Sequence, residues 1–175
     1  RELKDGELKN GEFLAEEVFA TRYFLTTNGL PITKGESYIQ WNLWGPDFQF
    51  GIGDNFGIGV MTTWMAIPIV GNAKYSIRLA DNLHLGLGAL LGTGSWAALD
   101  WGLALPFGSI TLGNKRSNIS FSGGYGAVFG NGDSEGRALL SVAGMAKVGK
   151  KVSLVFDSFI FPPKDPEAMI KDSVS

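Results

Sequence analysis

A short motif that occurs twice constrains the fold of this chain more than any other feature. Residues 51–60 read G-I-G-D-N-F-G-I-G-V, and residues 78–90 read R-L-A-D-N-L-H-L-G-L-G-A-L. In each copy an Asp-Asn pair is followed by apolar residues at every second position. Asp and Asn suit two-residue hairpin turns, and alternation is the period of a strand with two different faces. The motif therefore predicts β-hairpins.

The same alternation continues through most of the chain. It predicts nine strands, at residues 37–44, 47–53, 56–64, 73–80, 83–89, 96–112 with a bend at 106–108, 119–129, 137–148 and 152–160. Short turns are expected near residues 54, 81, 115 and 149, and mostly longer connections at 66–72, 92–95, 130–136 and from 162 onward. Glycine accounts for 25 of the 175 residues, which would weaken a helical protein.

The two faces of these strands differ in bulk and polarity. One carries large apolar side chains such as Leu85 and Phe121, and the other carries glycine, serine and single charges, as at Gly86 and Ser120. On the strand at 96–112 the apolar face is expected to hold Trp101, Leu103 and Leu105. A soluble barrel would bury the large side chains and leave an outer surface poor in charge. The opposite orientation, with large side chains toward lipid, predicts an all-β, antiparallel, up-and-down transmembrane β-barrel.

The strand count and the ends of the chain define its organisation. Residues 18–161 are expected to form the barrel, 1–17 a polar tether or the remnant of a periplasmic module, and 162–175 an extracellular loop or tail. Because bacterial barrels close with an even number of strands, about ten or more are expected. Either residues 18–25 supply a tenth strand or further strands follow Ser175, and we favour the second.

Polar residues on the small-residue face are candidates for the lumen lining. They are Gln49, Lys74, Arg78, His84, Asp100, Lys147 and Asp157. An ion-pair network that fills a narrow barrel is the favoured interpretation, and a selectivity lining is the alternative. Candidates for the aromatic girdles at the membrane interface are Trp41, Trp44, Trp64, Trp96, Trp101 and Tyr125, with Tyr23 as a further one.

Several kinds of chemistry find no support in the sequence. The chain has no cysteine, and His84 is its only histidine, so neither thiol catalysis nor a histidine-rich metal site is expected. The glycine pairs follow hairpin turns and lead into no predicted helix, which excludes a phosphate-binding loop. A net charge of −2 does not favour nucleic acid. We expect a protein that is not an enzyme, with no catalytic residues, metal or cofactor.

Four segments resemble a known family. They are A-T-R-Y-F at 20–24, L-P-I-T-K-G-E-S-Y at 30–38, G-I-G-D-N-F-G-I-G at 51–59 and A-D-N-L-H-L-G-L-G at 80–88. Residues 20–161 thereby resemble a family of uncharacterised outer-membrane β-barrel proteins of Bacteroidota. The resemblance implies a β-barrel in the bacterial outer membrane and implies no enzyme activity.

The expected function is a structural or accessory subunit of an envelope membrane-protein complex. Its expected partners are outer-membrane lipid and other envelope proteins, without nucleic acid. A narrow, porin-like channel for small solutes is the first alternative. A soluble, lipocalin-like barrel that binds lipid is the second.

Overall fold

The fold is taken from a computed structural model of the whole chain. The structure describes residues 8–9, 12–13, 21–23, 26–94, 101–130, 133–149 and 152–162. Within these ranges it contains strands, turns and loops and no helix able to cross a membrane.

Nine strands form the main sheet, and two short ones form a separate hairpin. The hairpin pairs β1 (Leu8–Lys9) with β2 (Glu12–Phe13). The main sheet comprises β3 (Ser37–Trp41), β4 (Pro46–Gly51), β5 (Phe56–Thr62), β6 (Ile69–Ala80), β7 (Leu83–Thr93), β8 (Trp101–Gly113), β9 (Ser117–Gly130), β10 (Asp133–Lys147) and β11 (Ser153–Ile160). Each strand is antiparallel to the next along the chain, so the sheet is an up-and-down meander.

The sheet curls into a half-barrel. Among the described residues, β3 and β11 are its two edges and are not paired with each other. The predicted all-β antiparallel meander is therefore confirmed, and all nine predicted strands are present. The segment at 18–25 does not supply a tenth strand within its described part, because residues 21–23 lie inside the curl and make a single bridge, Arg22 to Thr27.

Some predicted boundaries were wrong. The expected polar loop at 130–136 was wrong for residues 133–136, since β10 begins at Asp133, which pairs with Gly130. The described part of the sixth strand runs from Trp101 to Gly113, and its predicted start at residue 96 lies outside the described residues. β8 continues through the predicted bend at 106–108 to Gly113. Pro106 pairs with Ala89 of β7, while the pairing with β9 leaves out Leu105 and Pro106.

The concave side of the sheet is buried and carries polar side chains with some apolar ones among them, and the convex side is apolar and exposed. Directly paired residues in antiparallel strands point to the same side, so the register fixes each face. The buried polar side chains of the strands are Asp47, Gln49, Lys74, Ser76, His84, Ser109, Thr111, Asn118, Ser120 and Ser141. Large side chains on the other face include Phe50, Ile58, Tyr75, Leu87, Ile110, Phe121, Leu140 and Phe156, each more than a third exposed. This polarity is the reverse of that in a soluble barrel.

The predicted faces of β8 were wrong in its first half. Leu105 pairs with Leu90 and Leu103 with Gly92, which places both leucines on the concave side with His84 and Gly86. By the same alternation Trp101 belongs to the concave face, at the rim of the sheet. Apolar residues occur on both faces here, so alternation alone could not distinguish inside from outside.

The space inside the curl is occupied by the chain that precedes β3. We call residues 21–23 and 26–33 the inner segment. Its side chains Thr21, Arg22, Tyr23, Asn28, Leu30 and Ile32 are all buried. The ring of Tyr23 packs in a cluster with Ala143 and Met145 of β10. The core of the molecule is therefore the contact between the inner segment and the concave face.

Candidate functional site

The inner segment is hydrogen-bonded to both edges of the sheet. On the β3 side, Thr21 Oγ1 lies 2.6 Å from Tyr38 Oη, and Gln40 Nε2 donates to the Tyr23 carbonyl at 3.0 Å. On the β11 side, the Thr26 amide and hydroxyl donate to the two carboxylate oxygens of Asp157, at 3.0 and 2.9 Å. The segment thus spans the gap between the two edge strands that do not pair with each other.

A buried chain of hydroxyl groups joins the inner segment to the middle of the sheet. The Tyr23 hydroxyl donates to Asn118 Oδ1 at 2.5 Å and lies 2.8 Å from Ser120 Oγ. Ser120 Oγ lies 2.6 Å from Thr111 Oγ1, which accepts the Gly29 amide at 2.7 Å. Because these groups are buried and satisfied together, they fix one position of the segment against β8 and β9.

Lys74 donates hydrogen bonds to the later part of the inner segment, after Thr27. Its Nζ atom donates to the carbonyl oxygens of Asn28 and Leu30, at 2.9 and 2.8 Å. The side chain is only 5 % exposed, and its described hydrogen bonds all go to main-chain carbonyls. A buried ammonium group requires hydrogen-bond acceptors of this kind. Lys74 and these carbonyl groups therefore fix each other's positions.

Arg22 and Asp47 form a buried ion pair between the inner segment and β4. Arg22 Nε lies 2.9 Å from Asp47 Oδ2, and the two side chains are 3 % and 1 % exposed. Gln49 Nε2 donates to the other carboxylate oxygen of Asp47. Two charges are thereby taken out of water together, which makes the loss of either partner alone costly.

Glycines of the hairpin motifs provide the room for the inner segment. A Cβ atom on Gly57 would lie 3.2 Å from Ile32 Cδ1, and one on Gly86 would lie 3.0 Å from the Cα atom of Gly29. A Cβ on Gly29 would lie 2.9 Å from the His84 carbonyl oxygen. The two backbones therefore approach too closely at Gly29 and Gly86 for larger residues.

A cavity of about 230 Å³ remains beside the inner segment. Arg22, Thr26, Thr27, Lys74, Asn72, Ser122 and Ser141 supply its polar wall. Met61, Leu90, Leu105, Phe107, Leu139 and Phe159 supply most of its apolar wall. The cavity lies wholly on the concave side, since these strand residues share that face in the register.

The predicted lumen residues occupy different places. Gln49, Lys74 and His84 are buried on the concave side. Asp157 is half-buried and bonded to Thr26, and Lys147 is half-buried near the end of β10. Arg78 is exposed at the end of β6, where it pairs with Asp81 at 2.6 Å. Asp100 lies outside the described residues.

The predicted lumen residues therefore do not form one ion-pair network. Lys74 is bonded to carbonyls, and the buried ion pair is made by Arg22 and Asp47, which were not among the predicted residues. His84 Nδ1 is buried and has no hydrogen-bond partner among the described residues. Within the described ranges, no three His, Asp or Glu side chains come together as metal ligands.

Three of the six predicted interface aromatics, Trp41, Trp44 and Trp64, are exposed at one end of the sheet. Trp41 and Trp64 stack at 5.5 Å between ring centroids, and Trp64 Nε1 donates to the Leu43 carbonyl at 2.9 Å. Trp44 lies in the connection that follows β3 and is also exposed. Apolar rings with one hydrogen bond at the rim suit the boundary between water and lipid.

The other aromatics are more dispersed. Trp101 is 37 % exposed at the start of β8, and Tyr125 is exposed on the convex face of β9. Trp96 lies outside the described residues. The prediction for Tyr23 was wrong, because its ring is 1 % exposed and lies inside the curl.

The sequence contained a signal for one member of the buried ion pair, Asp47, but none for its partner, Arg22. Asp47 alternates with Gln49 on the same strand, so it belongs to the inner face and requires a positive partner there. Nothing in the local pattern indicated that Arg22 is that partner, since the two residues come together only through the tertiary fold.

Comparisons with known proteins identified no relative of this chain. No family model matches the chain, and no match was found among curated proteins or among solved structures.

Proposed function

We propose that this chain is an outer-membrane β-barrel protein with its convex face against lipid and its interior filled by its own inner segment. Its role is that of a structural or accessory subunit of an envelope complex, without enzymatic activity. The single observation that carries the proposal is the polarity of the sheet: Phe121 and Phe156 are about half exposed on the convex side, while Ser120 and Ser141 are buried on the concave side.

The extent of the convex apolar surface supports a lipid environment. A soluble monomer seldom exposes a continuous apolar patch larger than about 300–600 Å². Here exposed large apolar side chains occur on every strand from β3 to β11, as in Ile39, Phe50, Val60, Tyr75, Leu87, Ile110, Phe121, Leu140 and Phe156. A soluble lipid-binding barrel would need these residues inside, where the concave face instead carries Asp47, Lys74 and Ser109.

The proposal requires closure of the sheet in the membrane. Unpaired main-chain groups on the edges of β3 and β11 could not be left facing hydrocarbon. In the proposed membrane form these edges are paired by additional strands, giving a barrel of about ten or more strands.

The inner segment supports a structural role over an open channel. Its bonds to Tyr38, Asp157 and Lys74 hold it across the interior at three separate strands. Opening the interior would break these buried, satisfied hydrogen bonds. The free-energy cost of breaking them disfavours even a transient opening. The interior is therefore proposed to stay closed to solutes.

Solute flux through reconstituted vesicles tests this role. Protein purified in detergent is inserted into lipid vesicles, and the vesicles are diluted into isotonic solutions of small sugars. We expect the same swelling rate as in vesicles without protein, with insertion verified by protection of the chain from added protease. Rapid swelling with a small sugar would contradict the closed interior and favour the channel. Failure to insert into any vesicle would contradict the membrane location.

A further inference from the structure

The cavity beside the inner segment has the features of a ligand-binding site. A binding role goes beyond the proposed structural role and does not depend on membrane location. Three serines lie side by side on the concave face of the sheet. Ser109 pairs with Ser122, and Ser122 pairs with Ser141, across β8, β9 and β10. Their Oγ atoms are buried and make no hydrogen bond with any described residue. Buried hydroxyl groups are normally satisfied, so this row calls for a partner.

Two of these hydroxyls open onto the cavity. Ser122 and Ser141 line it, and Ser141 is only 4 % exposed. Directly paired residues have Cβ atoms about 5 Å apart, so both hydroxyls can reach the two oxygens of one carboxylate. Asn72 lines the same cavity from β6, and its Nδ2 donor also lacks a partner among the described residues. The groups left unpaired there can all donate hydrogen bonds.

The charges on the cavity wall favour an anion. Arg22 and Lys74 are the ionisable residues in the described lining, and both are basic. Asp47 is bonded to Arg22 on the side of β4 and is not part of the cavity lining. Asp157, which is bonded to Thr26, is likewise not part of the lining. A negatively charged group entering the cavity would therefore meet basic side chains and no carboxylate on the described lining itself.

The remaining walls favour a small apolar body attached to that anion. Phe107 and Leu139 lie one inward-facing position from the paired serines along β8 and β10, and both line the cavity. Between them, Gly124 pairs with each and adds no side chain. Since a cavity of about 150 Å³ holds benzene, one of about 230 Å³ holds a molecule of roughly nine non-hydrogen atoms.

We propose that this cavity binds a small amphiphilic carboxylate. The carboxylate accepts hydrogen bonds from Ser122 and Ser141, with Lys74 supplying positive charge nearby. The apolar body lies against Phe107 and Leu139. A short-chain aliphatic acid of about six carbons has the size and polarity that the walls require.

Calorimetric titration of the full chain in a non-ionic detergent tests the site with hexanoate and hexanamide as probes. The two molecules have the same shape, and only hexanoate carries a charge. We expect hexanoate to bind in the millimolar range or tighter and hexanamide to bind at least about tenfold more weakly. Equal affinity for both probes would overturn the assignment of a carboxylate, and absence of hexanoate binding would overturn the site itself.

Variants locate the binding within the cavity. The double substitution Ser122→Ala and Ser141→Ala should weaken hexanoate binding by about tenfold or more. Leu139→Trp should abolish it by filling the cavity, whereas Leu140→Trp, on the convex face of the same strand, should leave it unchanged. Near-native unfolding temperatures of the alanine variant verify its fold. Hexanoate binding that survives Leu139→Trp would place the ligand elsewhere and contradict the proposal.

Discussion

Thr26 is bonded twice to Asp157, through its amide to one carboxylate oxygen at 3.0 Å and through its hydroxyl to the other at 2.9 Å. This pair joins the inner segment to β11, the last strand of the sheet. The first strand, β3, reaches the same segment through Tyr38 and Gln40. A segment that precedes the sheet therefore connects the two ends of the sheet.

Replacement of Asp157 by alanine should loosen this connection. Two hydrogen bonds to a charged acceptor are lost, and a destabilisation of about 1.5–3 kcal/mol is expected. Denaturant unfolding in detergent measures the loss, and hydrogen exchange should increase at residues 26–33. The control is Ser158→Ala, on the convex face next to Asp157, which should change neither. Unchanged exchange at the inner segment in the Asp157 variant would contradict the connection.

Tyr23→Phe tests the buried hydroxyl chain. The substitution keeps the ring among Ala143 and Met145 but removes the group that contacts Asn118 and Ser120. We expect a loss of about 1–3 kcal/mol in unfolding free energy, because Asn118 Oδ1 loses its donor in a buried place. Tyr125→Phe provides the matched control.

Unlike Tyr23, the control residue is exposed and is not part of the buried hydroxyl chain. Tyr125 is 55 % exposed on the convex face, so removal of its hydroxyl should change the unfolding free energy by less than about 0.5 kcal/mol. Equal effects of the two substitutions would show that the interior hydroxyl chain contributes no specific stability.

A double-mutant cycle at Arg22 and Asp47 tests the buried ion pair. Arg22→Met and Asp47→Leu should each cost about 3–5 kcal/mol, since each leaves one charge buried without its partner. The double variant should cost clearly less than the sum of the two single variants. Unfolding free energies of the wild type and the three variants give the coupling directly. Additive effects would mean that the pair is not formed in the folded protein.

Acid should weaken the contact between Glu36 and Lys115, which lie 3.3 Å apart next to β3 and β9. Partial burial acts to raise the pKa of Glu36, but hydrogen bonds from Thr33 and the charge of Lys115 outweigh it and lower the pKa. A lowered pKa in the folded state gives stability that is complete above the ordinary pKa and is lost as the pH falls through the folded value.

The Glu36→Gln variant isolates this contribution. Wild type should be the more stable of the two at about pH 7, and the difference should shrink at about pH 3. Thermal unfolding of both proteins across this range measures the difference. A gap that stays constant with pH would contradict the lowered pKa.

The sequence predicted the sheet because its main signal is local. Alternation of Phe121 with Ser120 and Ser122 follows from neighbouring positions on one strand, and the Asp-Asn turns give the ends of the strands. The prediction of faces was wrong at Leu103 and Leu105, which both point inward: Leu105 lines the cavity and Leu103 packs next to Gly92. Where both faces of a strand are apolar, local alternation cannot indicate which face points inward.

The inner segment could not be predicted for a different reason. Tyr23 has no periodic neighbours that define a face, and its hydroxyl partners lie far along the chain, at Asn118 and Ser120. A tyrosine near the start of a predicted barrel resembled an interface aromatic. Its burial follows from the shape of the completed sheet, which the sequence of residues 20–24 does not contain.

The central claim is that the convex face contacts lipid, and single nitroxide labels test it most directly. The chain has no cysteine, so Phe121→Cys and Ser122→Cys each create one labelling site on opposite faces of β9. Gly149→Cys, in the turn between β10 and β11, provides a reference for water exposure. In lipid vesicles, we expect the label at residue 121 to collide mainly with dissolved oxygen, and the label at 122 to be shielded from oxygen. A label at 121 that meets an aqueous nickel chelate as readily as the label at 149 would contradict the account.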